Sequence, residues 1–223
     1  MKQNRGWLVF GIVLLILIID QVLKFYIKLN FYWGETHCIA NGKLCFQFIE
    51  NKGMAWGIEL GFLGDLGKPV LTIFRIFASC AIGYYIHLMI KSKAHLGFII
   101  TLSMILAGAI GNIIDSLFYG MIFSESSYQL RNVAELVPFG TGYESFLHGH
   151  VVDMLSCPLF VWPHWIPKIG GNTFFGPIFN VADSAITTGV ITILIFQKKF
   201  FHKNDDIRDP RLVEVDTEED SGV

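Results

Sequence analysis

The chain has 223 residues, of which 52% are hydrophobic and only 16% charged, and its net charge is −2 at pH 7; its mean hydropathy is +0.50. Soluble domains carry roughly 25% charged residues. Here the apolar residues gather into long runs, with no Asp, Glu, Lys or Arg in residues 6–19 or 94–114, which argues against a soluble enzyme, a disordered protein and a nucleic-acid-binding protein.

Such runs approach the roughly 20 apolar residues that cross a bilayer. Four spans are predicted, at about residues 6–27, 69–90, 94–118 and 178–200. The first is too long for a cleavable signal peptide, contains Asp20 and Lys24 and lacks a small-x-small cleavage pattern, so it is read as a retained helix. Lys2 and Arg5 precede span one, Lys91 and Lys93 sit in the turn between spans two and three, and Lys198, Lys199 and Lys203 follow span four. With four spans these bases share one side, which predicts that both termini are cytoplasmic.

Two long outer segments follow from that topology, about residues 28–68 and 119–177. In the first, Leu44, Phe46 and Phe48 alternate with polar residues and predict a short strand, and the Gly-rich stretch after Gly57 predicts a turn or short helix at the membrane surface. In the second, Trp162 and Trp165 are expected at the membrane interface, where indole rings gather. Cys38 and Cys45 share the outer face and can pair in an oxidising compartment, or remain free thiols like Cys80 and Cys157. Residues 1–203 read as one membrane domain. Residues 204–223 hold eight acids, two bases and no aromatic residue, and read as a disordered cytoplasmic tail.

Charges inside a bilayer cost several kcal/mol and need a reason. Asp20, Lys24, Arg75, Asp115 and Asp183 fall within or at the edge of the apolar spans. At a rise of about 1.5 Å per residue, Asp20 lies about 21 Å beyond Gly6, in the outer half of span one. Asn112 and Asp115 lie near the outer end of span three, Asn180 and Asp183 near the outer start of span four, and Asp153 in the loop leading to it. The acids and amides therefore converge on the outer membrane boundary. Asp20 and Lys24 are an i,i+4 pair and read as a structural ion pair. Arg75 is expected to snorkel to the outer boundary, and Ala107-x-x-x-Gly111 to permit close helix approach. His148 and His150 form an H-x-H with no further ligand pattern, so no metal site is expected. Asp153 and Asp183 have no in-chain partner. Two carboxyls brought together share a proton, so one can act as general base on water while the other polarises a carbonyl. Paired intramembrane acids equally suit proton-coupled transport, and a polar helix interface in a membrane assembly factor is a third reading.

The motifs carry a resemblance. Asp20-Gln21-x-x-Lys24, residues 51–57 (Asn-Lys-Gly-Met-Ala-Trp-Gly), residues 108–115 (Gly-Ala-Ile-Gly-Asn-Ile-Ile-Asp), Val151-Val152-Asp153 and residues 179–186 (Phe-Asn-Val-Ala-Asp-Ser-Ala-Ile) occur in order on the expected spans. Together they resemble the lipoprotein signal peptidases, the bacterial signal peptidase II family of intramembrane aspartic proteases. The resemblance implies a membrane all-α fold with a small β element: four transmembrane helices and an extracytoplasmic β-cradle built from residues near 44–51 and 151–156. It implies Asp153 and Asp183 as the catalytic dyad. Asn51, Gly53, Gly108, Asn112, Asp115, Asn180 and Ala182 would line or support the substrate groove, and Asp20 and Lys24 would match a structural pair. The stretch after Gly53 would be a mobile helix covering the site. Gly53 and Gly108 would let backbone or lipid approach closely. The substrate would be a prolipoprotein whose Cys already carries diacylglycerol, cut just before that Cys at the outer face of a bacterial inner membrane. Membrane lipid would be its surroundings, globomycin-type peptides its inhibitors, and no cofactor, metal or nucleic acid would take part.

Two features depart from the family. It has Arg directly after the span-three Asp, where this chain has Ser116, and a much shorter link from there to the Val-Val-Asp motif, where this chain has residues 119–150. Arg131 is the only Lys or Arg in that insert. It is expected either to reach over the site and supply the missing guanidinium or to be a solvated loop charge.

Overall fold

The computed structural model describes residues 4–51, 61–158, 160–161, 163–165, 173–174 and 177–201. Gly53 with the motif residues after Asn51, the helix expected after it, Trp162 and the acidic tail lie outside the described residues.

Four helices are long and apolar enough to cross a membrane, over Arg5–Asn30, Gly64–Lys91, Leu96–Ile122 and Val181–Phe201. They correspond to α1 (Arg5–Asn30), α2 (Gly67–Lys91, preceded by a 3-10 turn, Gly61–Leu66), α3 (Leu96–Ile114, continued by the short α4, Gly120–Ile122) and α5 (Val181–Phe201). Large apolar side chains such as Leu15 and Val22 of α1, Phe74 and Phe77 of α2 and Leu194 and Ile195 of α5 stay exposed. An exposed apolar face on three helices suits hydrocarbon rather than water. The chain therefore has the build of a multi-pass membrane protein.

Helix α3 is the centre of the bundle, and glycines let its neighbours approach. A Cβ on Gly108 would lie 2.2 Å from the Ala182 carbonyl oxygen of α5. A Cβ on Gly111 would lie 2.7 Å from Asp20 Oδ2 of α1 and 3.2 Å from Ala182 Cβ. Of the backbone or lipid expected at Gly108, the group that approaches is the backbone of α5. Gly108→Ala should push α3 from α5 and cost about 1–3 kcal/mol, as overpacking does. A thermal melt in detergent checks this, with the parental midpoint as the contrary outcome.

Strands β1 (Thr36–Ile39), β2 (Leu44–Asn51) and β3 (Val151–Ser156) form an antiparallel sheet in the order β1-β2-β3, and β4 (Phe160–Val161) pairs with β5 (Thr173–Phe174). Cys38 stands opposite Cys45 in the β1–β2 hairpin and the two form a disulfide, while Cys80 and Cys157 are free. The alternation at Leu44, Phe46 and Phe48 is broken. β2 pairs Phe46 with Leu155 and Ile49 with Asp153, so three steps on β2 match two on β3. The extra residue is a bulge, which re-aims the strand beyond it. Cys45 and Phe48, three apart, are consequently the buried residues of β2.

The insert is an ordered wrap between α4 and β3. It is held by bridges Phe123↔Leu136, Ser127↔Asn132 and Tyr32↔Val133. It closes a core in which Ile27 and Phe31 of α1, Phe48 of β2, Val152 and Met154 of β3, and Tyr119 and Phe123 pack together. This core ties the C-terminal end of α1 to the sheet, and so fixes the sheet over the helix ends.

Candidate active site

Helix α5 begins in a polar cluster because its first N–H groups need acceptors. Asn180, the residue before Val181, accepts from the Asp183 N–H through Oδ1 at 2.8 Å, an N-cap on the third helical residue. The Ala182 N–H donates to Asp20 Oδ1 at 2.9 Å. Both start signals were present as motif residues, but only the fold shows that α1 supplies one of the caps.

Asn180 is pinned from the other side. Phe179 N and O bond with Leu155 O and N at 2.9 and 2.7 Å, which lays the segment before α5 along β3. Asn180 Nδ2 then reaches Asp153 Oδ1 at 2.8 Å and Asn112 Oδ1 at 3.2 Å. Asn112 Nδ2 donates to Asp183 Oδ1 at 2.8 Å. Asn51 lies diagonally across the sheet from Asp153, since Ile49 pairs with Asp153 and Asn51 with Val151, and its Nδ2 reaches Asp153 Oδ2 at 3.3 Å. Two amides thus orient Asp153 and one orients Asp183.

Both acids line one cavity of about 650 Å³, shared with Asn51, Asn112 and Arg75 among polar residues and Ile49, Val151 and Ile186 among apolar ones. Burial, then the nearby Asp183 charge, pushes the Asp153 carboxyl up to about 7, against the opposing pull of Asn51, Lys24 and Asn180. At neutral pH the pair can therefore keep a proton on Asp153.

Behind the cavity lies a fully buried ion cluster. Lys24 Nζ contacts Asp20 Oδ2 and Asp115 Oδ2, each at 2.8 Å, and donates to Asn112 Oδ1 at 3.1 Å. Gln21 Nε2 bonds Asp115 Oδ1 at 3.0 Å, and the Tyr119 hydroxyl donates to Gln21 Oε1 at 3.0 Å. Asp115 also accepts from the Val152 N–H at 3.3 Å. A π-helical turn, Asp115–Tyr119, places Asp115, Ser116 and Tyr119 all inside. The expected pair is a triad, and it is wired to the dyad: Lys24 to Asn112 to Asp183 on one side, Asp115 to the residue before Asp153 on the other. Asp115 belongs to this support and not to the cavity wall.

A second cluster went unread in the sequence. Lys28, buried on α1, pairs with Glu50 and reaches Ser126 Oγ at 3.1 Å, with its ammonium 4.8 Å from the Tyr143 ring centre. His150 Nδ1 lies 3.1 Å from Glu50 Oε2, and the Tyr143 hydroxyl accepts from the His150 N–H at 2.8 Å. Burial would raise the Glu50 carboxyl, but His150 and Lys28 outweigh it and hold it low. Burial raises the Tyr143 phenol. The signal that could have found this cluster is the charge of Lys28 and Glu50 flanking apolar runs. Among the described residues no group of three His, Cys, Asp or Glu could hold a metal ion.

The two arginines lie in different surroundings. Arg131 is exposed, with its guanidinium 5.8 Å from the Tyr32 ring centre, and the cavity wall does not include it. Arg75 is half-buried and lines the cavity.

Comparison with known proteins places the chain in a family. Residues 12–199 match the family model described as signal peptidase (SPase) II. A lipoprotein signal peptidase of Porphyromonas gingivalis is 44% identical over 199 residues, covering 87% of this chain and 84% of the relative. One from Amoebophilus asiaticus is 37% identical over 199 residues, covering 86% and 78%. A bacterial membrane enzyme solved by the in meso method at 2.3 Å resolution superposes with a TM-score of 0.58 at 26% identity, covering 89% of this chain and 93% of that one. With a family model spanning most of its length and relatives this similar, the chain belongs to the signal peptidase II family.

Proposed function

We propose that this protein is the aspartic endopeptidase that removes the signal peptide from diacylglyceryl-modified prolipoproteins, cutting just before the lipidated Cys. The observation that carries this reading is the pair Asp153 and Asp183, brought by β3 and α5 to one cavity and held by Asn180 and Asn112. Asp153, which keeps its proton to about pH 7, donates a hydrogen bond to the scissile carbonyl. Asp183 takes a proton from water as that water attacks the carbonyl carbon. The tetrahedral intermediate then collapses as the leaving nitrogen gains a proton from the dyad. Apolar residues such as Ile49, Val151 and Ile186 on the cavity wall suit a lipidated, membrane-level peptide. The transporter reading has no support among the relatives compared.

Incubating the purified protein in detergent with a diacylglyceryl-prolipoprotein should release the signal peptide, and a globomycin-type peptide should stop it. Absence of cleavage sinks the reading.

The proposed setting is a bacterial inner membrane, with both termini cytoplasmic and β1, β2 and β3 forming a cradle on the outer face. The Lys/Arg pattern supports this. So does the Cys38–Cys45 disulfide, since such bridges persist in oxidising compartments. Reporter fusions at Ser92 and after Phe201 should read cytoplasmic, and fusions at Asn41 and Gly142 outside. An outside signal at Ser92 would invert the topology.

A further inference from the structure

Position 116 has no room for a long side chain. Ser116 is fully buried and donates from Oγ to the Asn112 carbonyl at 3.0 Å. The returning insert lies across it: the Gly149 N–H donates to Ser116 O at 3.0 Å. A Cβ on Gly149 would sit only 2.2 Å from the Asp115 carbonyl oxygen. The insert backbone therefore fills the space beside this turn.

A guanidinium reaches the cavity from another helix. Lys68, Thr72, Arg75 and Ser79 follow one another at helical spacing along α2 and share one face. Thr72 and Ser79 are buried, Lys68 donates to the Asn51 carbonyl at 3.2 Å, and the neighbouring Ile73, Phe74 and Phe77 are exposed. The polar face of α2 is thus turned inward, and Arg75 carries it into the cavity wall. Asp153 and Asp183 lie on the same wall.

An extended peptide entering this cavity brings backbone carbonyls that lose water, and each needs a donor. The acids of the wall in their charged form accept only. One amide hydrogen of Asn51 and one of Asn112 are engaged on Asp153 and Asp183. Arg75, with five donors in a planar fork, can serve an acid and a carbonyl together.

We propose that Arg75 is the substrate-holding residue of this peptidase, donating from α2 to backbone carbonyl oxygens of the prolipoprotein beside the scissile bond. It stands in for an arginine that the insert leaves no space for at position 116. The inference rests on the peptidase reading above.

The test is steady-state cleavage of a diacylglyceryl-prolipoprotein by the full chain in detergent, measured from about pH 5 to 9. Arg75→Gln should raise KM and lower kcat/KM about 10- to 100-fold, the range for losing a charged donor. Removing a cation beside the dyad also makes its ionisation harder, so the acid limb of the pH profile should move up. The groups facing that limb are Asp153 of β3, Asp183 of α5, Glu50 of β2, Lys68 of α2, Lys24 of α1 and Asp115 beyond α3. Arg75→Lys keeps the charge and loses the fork, so its acid limb should stay while KM remains raised. Arg131→Ala should match the parent, and Ser116→Arg added to Arg75→Gln should restore nothing. Parental KM and pH profile in Arg75→Gln would overturn the proposal, as would a lower rate explained wholly by less folded protein. If Arg75→Gln does not fold, Arg75→Lys decides: a raised KM supports the proposal and a parental KM overturns it. A parent that fails to cleave overturns the peptidase reading itself, a result separable from every variant outcome.

Discussion

Asp153→Asn and Asp183→Asn should each lower prolipoprotein cleavage by at least about 10²- to 10⁴-fold, the usual loss when a positioned acid or base is removed. Each change is nearly isosteric, so the fold should survive. Asn at 153 keeps an acceptor oxygen for only one of the two amides that donate to it, Asn51 or Asn180, and it has no acidic proton to donate and recover. Asn at 183 can still face Asn112, but it cannot take a proton from water. Because the two carboxyls act as a unit, the double variant should be little worse than either single one. The pH profile gives a second check. With Asp153 pushed up to about 7, the dyad loses its last proton as pH rises through that value, so kcat should fall on the alkaline side. Near-parental turnover in either Asn variant, measured on protein with the parental melting midpoint, would remove the dyad assignment.

The second large effect is one of stability. Lys24→Met should cost about 3–5 kcal/mol, because it leaves Asp20 and Asp115 buried without their cation. Native proteins are stable by only about 5–15 kcal/mol, so much of the margin should go. The Met side chain fills similar volume, which isolates the charge from the packing. Adding Asp115→Asn should recover part of the loss, since the remaining acid then keeps its hydrogen bond from the Ala182 N–H and one charge fewer is buried. The measurements are a thermal melt in detergent and cleavage per folded molecule. The latter should also fall, because Lys24 holds Asn112 and Asn112 holds Asp183. A Lys24→Met protein as stable as its parent would show that the triad is not what holds α1, α3 and α5 together.

The two predictions meet in one feature of the architecture. A charge triad costs free energy to bury and adds stability only while complete, yet this one abuts the reacting acids through Asn112 and Val152. Its better-supported value is orientation. Helix α5 cannot rotate without losing the Asp20 cap, and β3 cannot slide without losing the Asp115 contact. Both dyad carboxyls ride on those elements.

Local pattern made the four spans, the i,i+4 pair Asp20–Lys24 and the common depth of Asn112, Asp115, Asn180 and Asp183 readable in the chain itself. Each follows from rise per residue and the cost of charge in hydrocarbon, which need no tertiary information. The strand at β2 was readable too, because alternation is local. What only the folded structure decided involves partners far apart in sequence. A bulge opposite β3, invisible in β2 alone, moved the buried positions to Cys45 and Phe48 and set Asn51 against Asp153. Gly108 was readable as a close-approach site, but only packing showed that the approaching group is the backbone of α5. Asp115 was readable as buried, but only α1 showed that its partner is Lys24. The places of the two arginines were likewise decided by packing: Arg131 is the exposed loop charge of the two alternatives, and Arg75 lines the cavity. Which way a charge on an apolar helix turns depends on the surface its neighbours present, and the path of the insert, residues 119–150, is set by the core it closes, not by its own composition.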